Sequence, residues 1–232
     1  MNLQFKPLHK VFAAEANGID ITKPLQESDV RAINTGMNQH AVLVFRGQVL
    51  SAQQQLDFSK SFGPLDTGLK RVFKRPERLE DERLIDISNV DVHGNVAKRD
   101  SPKNLSNFAN QLWHSDSSFM NPRAAYSMLH CLVKPSWGGN TEFADLRNAY
   151  DTLDARTLNE IKDLEAEHFA LHTRILLGDD AYTDDQKKEI PPAVWPLVNT
   201  HPGSGRKVLF TGVHARQIIG CQSMTSRLHS VA

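Results

Sequence analysis

Cysteine is scarce in this chain of 232 residues: only Cys131 and Cys221 are present. Two isolated thiols make no disulfide framework, which excludes the small stapled folds of secreted proteins. Cys131, inside the apolar run "YSMLHCLV", reads as a buried thiol. An excess of one charge is missing too: 27 basic and 27 acidic side chains give a formal net charge of +0, with no run of Lys or Arg. That leaves out the electrostatic footprint of a nucleic-acid binder and a polybasic membrane patch. No apolar stretch approaches the roughly 20 residues that cross a bilayer, and the opening "MNLQFKPLHK" lacks the apolar core of a signal peptide. Internal repeats and low-complexity linkers are lacking as well. The expectation is a cytoplasmic globular protein, one domain over residues 1–232, with 40% hydrophobic residues to build its core.

What is present suggests helices and strands in irregular alternation. "ESDVRAINTGMNQ" predicts a helix with Ser28 as N-cap and Val30, Ile33 and Met37 on one face. "HAVLVFRG" predicts a short buried strand closed by Gly47. "SAQQQLDFSKSFG" predicts a second helix, with Ser51 and Gln54 as a capping box and Gly63 at the C-terminal cap before Pro64. "ERLIDISNV" and "RKVLFTGVH" read as strands, and "RAAYSMLHCLV" as a strand with a helix still open. "ADLRNAYDTL" and "DARTLNEIKDLEAEHFAL" read as helices, the second with Leu158, Ile161 and Leu164 on one stripe. The order departs from the alternation of a doubly wound sheet. It fits a mainly β core with helices outside.

The stretch "NQLWHSDSSF" sets His114 and Asp116 two positions apart. On a strand, residues i and i+2 share a face. An imidazole and a carboxylate side by side can chelate one divalent metal, and with one more His they form the facial triad of non-haem Fe(II) oxygenases. An HxD triplet alone is more often a surface pair. Trp113 before the His and Phe119 after the Asp favour a lined cavity instead.

"FANQLWHSDSSF" resembles the metal-binding segment of the Fe(II)/2-oxoglutarate-dependent dioxygenases of the taurine dioxygenase family, and is closest to the branch that cleaves 2,4-dichlorophenoxyacetate. "VLVFRGQ", "DISNV", "NVAKRD", "GGNTEF" and "THPGSGRKVLF" agree in order, from about the tenth residue to His214. The resemblance implies a double-stranded β-helix, or jelly roll. It implies iron(II) with 2-oxoglutarate and O₂ as co-substrates, His114 and Asp116 as the first two iron ligands, and Thr141 on a 2-oxoglutarate carboxylate. Asn110 would face substrate and His201 would lie near the site without ligating iron; a buried structural Asn and a turn-stabilising His before Pro202 are the plain alternatives. Arg71 and Lys98 are candidate clamps for an acidic small-molecule substrate, or ordinary solvated charges. The implied reaction hydroxylates an aryloxyalkanoate next to its ether oxygen. The hemiacetal collapses to a phenol and a 2-oxo acid, with succinate and CO₂ released. A taurine-type sulfonate dioxygenase is the alternative within the family, and a homo-oligomer remains open.

The family's distal His lies in a late segment resembling W-D-N-R…H, followed by an Arg for 2-oxoglutarate. After "FTGVHARQIIG" this sequence reads "CQSMTSRLHSVA", and neither His214 nor His229 sits in such a motif. The expectation is therefore a jelly roll incomplete at its C-terminus, weak iron binding and self-association, with a non-catalytic remnant as the rival reading.

Overall fold

The computed structural model describes residues 3–72, 78–99, 101–178 and 182–219. These hold eight short strands in three small sheets, and seven α-helices. Helices and sheets are thus mixed, where the sequence reading expected a mainly β chain. The chain divides into two compact units. The expectations for the terminal segment and for His229 fall outside the described residues. No helix among the described residues is long and apolar enough to cross a membrane.

The first unit gathers Met1–Leu65, Met128–Asp154 and Asn199–Leu209. Strand β1 (Gln4–Pro7) runs antiparallel to β2 (Ala14–Asn17), which pairs in parallel with β3 (Leu43–Val44). β2 follows the two-residue period: Ala14 and Ala16 are buried, while Glu15 turns out to Arg46 at 3.1 Å. The strand expected over residues 40–47 survives only as β3. Helix α1 spans Glu27–His40, but its N-cap is Gln26 rather than Ser28. The Asp29 carboxylate accepts the Gln26 N–H at 3.1 Å, so the acidic side chain three residues on decides the start. Gly36 is buried in mid-helix, where a Cβ would stand 2.4 Å from Cζ of Phe5; the Phe5 ring takes the space a side chain would need. Helix α2 (Ala52–Lys60) has the expected Ser51–Gln54 capping box, with its C-cap at Ser61 instead of Gly63. Of the late strand expected over residues 206–214, β7 (Lys207–Leu209) forms, paired with β6 (Val198–Thr200).

Asp145 caps the N-terminus of α4 (Leu146–Asp151) and carries the most enclosed ion pair in this unit. Arg147 donates Nε to Asp145 Oδ1 at 2.9 Å and Nη2 to Oδ2 at 3.1 Å. Its Nη1 donates to the Asn38 carbonyl at 2.8 Å, in the last turn of α1. Burial opposes ionisation of Asp145, but the Arg147 hydrogen bonds hold its carboxyl below the usual range.

The second unit gathers Asp66–Ser127, Ala155–Val198 and the residues from Phe210 onward. Its sheet places β4 (Glu165–His168) between β5 (Ala193–Pro196) and β8 (Ala215–Ile218), both antiparallel to it. The long helix expected over residues 154–171 splits into α5 (Ala155–Ile161) and β4. The reason lies in "EAEH", which alternates with period two: Ala166 and His168 are buried and the glutamates face outward. Ile161 and Leu164 still serve the core, packing on Ala166, Leu197 and Ile218. The strand expected over residues 82–90 reduces to one bridge, Val90 to Val96. Within it Asp86 is taken by Arg78 at 2.8 Å and Lys103 at 3.0 Å. Residues 123–133, which span both units, are neither strand nor helix, and Cys131 is exposed instead of buried. Helices α3 (Pro102–Ala109), α6 (His172–Leu176) and α7 (Asp184–Glu189) complete this unit.

His168 makes this unit acid-sensitive. It is 1% exposed, stacks on Phe210 at 5.1 Å, and neither ring nitrogen has a hydrogen-bond partner. Burial, with the Arg123 charge nearby, lowers its pKa to about 4. In the unfolded chain the group protonates near about 6.5, so between these values the unfolded state binds more protons. The share His168 contributes is therefore complete above about pH 6.5 and is lost as pH drops toward about 4, about 3 kcal/mol. His214, whose pKa burial also lowers to about 4, adds a share of its own over the same range. Urea unfolding along this range should show the combined decline, and His168→Leu should remove roughly half of it. A wild-type midpoint independent of pH would contradict the assignment.

Candidate metal centre

His114 and Asp116 meet without the strand expected beneath them. Residues 113–115 belong to no strand or helix, and 116–119 form a turn. His114 Nε2 stands 3.3 Å from Asp116 Oδ1. Ser117, with φ of +55°, then turns the chain so that Ser118 is buried, and the Ser118 carbonyl accepts Nε1–H of Trp195 at 2.8 Å.

The other ring nitrogen of His114 fixes the tautomer. Nδ1 lies 2.7 Å from the Leu112 carbonyl oxygen, which can only accept, so Nδ1 carries the proton and Nε2 is the atom turned to Asp116. This is the arrangement of a metal-ligating His whose orientation is set by an outer partner. Two donors each about 2.1 Å from a shared ion at a right angle stand roughly 3 Å apart. The observed separation fits two adjacent positions of such an ion. A proton can bridge the same gap: the Asp116 hydrogen bond raises the pKa of His114, and His114 lowers that of Asp116, with Ser127 adding a further hydrogen bond. A divalent ion competes with that proton, so affinity at the pair rises with pH.

His214 is brought to the pair from about a hundred positions later. Its ring is 5.9 Å from the His114 ring and 5.0 Å from the Phe119 ring, edge-on to both. Burial, reinforced by His114 and His168, lowers its pKa to about 4, so it is neutral near pH 7. Its Nδ1 lies 3.4 Å from Thr173 Oγ1. The sequence offered no signal for this approach, because no motif surrounds His214. Even so, the described residues contain no group of three or more His, Cys, Asp or Glu poised to hold a metal. The expected lined cavity is also more open than Trp113 and Phe119 suggested: Trp113 is 59% exposed, and the Asp116 side chain 57%.

The remaining candidates are spread out. Asn110 is exposed in the turn after α3, in the same unit as the pair. Lys98 is exposed, and its carbonyl accepts Nδ2 of Asn104 at 2.9 Å. Arg71 ends the one-turn helix Gly68–Arg71, and its side chain lies outside the described residues. Thr141, exposed, and His201, half-buried, belong to the first unit. His201 holds the β6–β7 turn, its Nδ1 accepting the Ser204 N–H at 3.1 Å.

Comparison with known proteins agrees with this chemistry. Residues 4–227 match the family described as taurine catabolism dioxygenase TauD, TfdA family. The chain is 49% identical over 228 residues to the alpha-ketoglutarate-dependent 2,4-dichlorophenoxyacetate dioxygenase of Cupriavidus pinatubonensis, covering 98% of this chain and 79% of that one. It is 32% identical to the (S)-phenoxypropionate/alpha-ketoglutarate-dioxygenase of Delftia acidovorans, covering 97% of this chain and 76% of that one. The crystal structure of AAD-2 in complex with Mn(II) and N-oxalylglycine superposes with a TM-score of 0.90 at 37% identity, covering 99% of this chain and 80% of that one.

Proposed function

This chain belongs to the TauD, TfdA dioxygenase family, and we propose that it is an Fe(II)/2-oxoglutarate-dependent dioxygenase acting on aryloxyalkanoates. The observation that carries the reading is the 3.3 Å pair of His114 Nε2 and Asp116 Oδ1, with Nδ1 pinned on Leu112. The names of the two relatives above support the substrate class. The finer fold that goes with the reading is a jelly roll.

His114 and Asp116 would hold the iron, which when bound supplies the activation of O₂. The chain's own part is placement. Leu112 keeps Nε2 free of its proton for a metal, and Ser127 helps keep Asp116 ionised. Neutral His214, edge-on to Phe119, stands beside His114 on one side of the pair. Arg71 and Lys98 are the candidate cations for the acid of the substrate and Asn110 its polar neighbour, all in the unit that holds the pair. The roles of Thr141, toward a 2-oxoglutarate carboxylate, and of His201, near the site without ligating iron, are those the family resemblance implies. One turnover consumes one O₂ and one 2-oxoglutarate, and releases succinate, CO₂, a phenol and a 2-oxo acid.

The test is to supply aryloxyacetate and taurine in parallel, with iron(II) and 2-oxoglutarate, and to measure phenol, sulfite and succinate. Phenol and succinate should appear in equal amounts, with no sulfite. Turnover of taurine without any of aryloxyacetate would overturn the substrate assignment.

A further inference from the structure

The geometry points to Gly212 as a positioning residue for the metal pair: its bare Cα lets the segment 212–215 seat directly on the backbone of the His114 motif, and that seat sets where Nε2 points. The inference rests on the reading of His114 and Asp116 as metal donors. A Cβ at Gly212 would stand 3.3 Å from His114 Cα, 3.3 Å from the Trp113 carbonyl oxygen and 3.5 Å from the Ser115 nitrogen. All three are backbone atoms, so no side chain can rotate aside to make room. A methyl group there must move the motif itself by a few tenths of an ångström.

The next two residues fix other parts of the same motif. Val213 N–H donates to the Trp113 carbonyl at 2.9 Å, and the His214 ring meets the His114 ring edge-on. The His214 carbonyl in turn accepts the Phe169 N–H at 2.9 Å. Phe169 belongs to the buried cluster with Leu171, Tyr182 and Ile190. The segment is thus anchored in the core on one side and touches the motif on the other. This matters because residues 113–115 have no strand or helix of their own to hold them. Donor placement within about 0.5 Å is what a functional site demands.

Gly212→Ala should lower Mn(II) affinity by roughly 10–100-fold, the size expected when the support of a ligand is lost. Thr211→Ala, which adds no atom, should leave affinity within about twofold of wild type, well short of such a loss. Affinity is read by the free Mn(II) electron-spin signal. Imidazole nitrogen NMR of the metal-free chain should show His114 displaced in Gly212→Ala alone. A purely structural role would lower the thermal transition and leave both readouts of the folded protein unchanged, which would overturn the proposal. If wild type binds no Mn(II), the metal reading fails on its own, and the His114 signals still decide the role of Gly212. If Gly212→Ala does not fold, amide exchange in wild type decides. Protection at Val213 that deepens with Mn(II) supports the seat, and an unprotected Val213 amide overturns it.

Discussion

Replacing either His114 or Asp116 by Ala will cut phenol release by more than about 100-fold, beyond the 10–100-fold typical of losing an outer-shell partner. Each substitution removes a whole donor from a pair whose separation suits one shared ion. Neither should unfold the chain. The Asp116 side chain is more than half exposed, so Asp116→Ala should change stability by about 0.5 kcal/mol or less; the His114 side chain is 26% exposed and meets the His214 ring, so His114→Ala should cost about 1 kcal/mol. Asp116→Glu keeps the charge but displaces the oxygen, and should fall between wild type and Ala. Activity of Asp116→Ala above a tenth of wild type would show that this carboxylate holds no metal.

Asp145→Ala will produce the largest loss of stability, about 3–5 kcal/mol, because it leaves the buried Arg147 guanidinium without its counter-charge. Both side chains are 5% exposed or less. Arg147 would keep only the Asn38 and Gln39 carbonyls. The double replacement Asp145→Ala with Arg147→Met should recover much of the loss, since no charge is then buried. Urea denaturation of the three variants checks this. A single variant within about 1 kcal/mol of wild type would mean that water reaches the pair and the enclosure is not real.

The elements read correctly in advance are those with local causes. The Ser51–Gln54 box lies within four residues; His114 and Asp116 also come within 3.3 Å, but without the strand face that was expected to present them. The misreadings share a different origin. "DLEAEHFAL" contains acceptable helix formers, but β5 and β8 claim it from both sides, and that claim is made by residues far away in sequence. "RAAYSMLHCLV" has strand composition, yet a strand exists only where a partner pairs with it, and none does among the described residues. His214 and Gly212 were invisible for the same reason. Their meaning comes from packing on a motif about a hundred residues earlier, and no local pattern records it.

The most direct test of the account is where a paramagnetic ion binds. Titrate Mn(II) into isotopically labelled chain at neutral pH and follow the loss of NMR signals. The account predicts that His114 ring signals and the Asp116 carboxylate broaden first, with Phe119, Ser127 and His214 next. It also predicts that this pattern disappears in His114→Ala and Asp116→Ala, and that affinity rises with pH as the bridging proton leaves. Broadening centred on another acidic cluster, or an unchanged pattern in both variants, would contradict it.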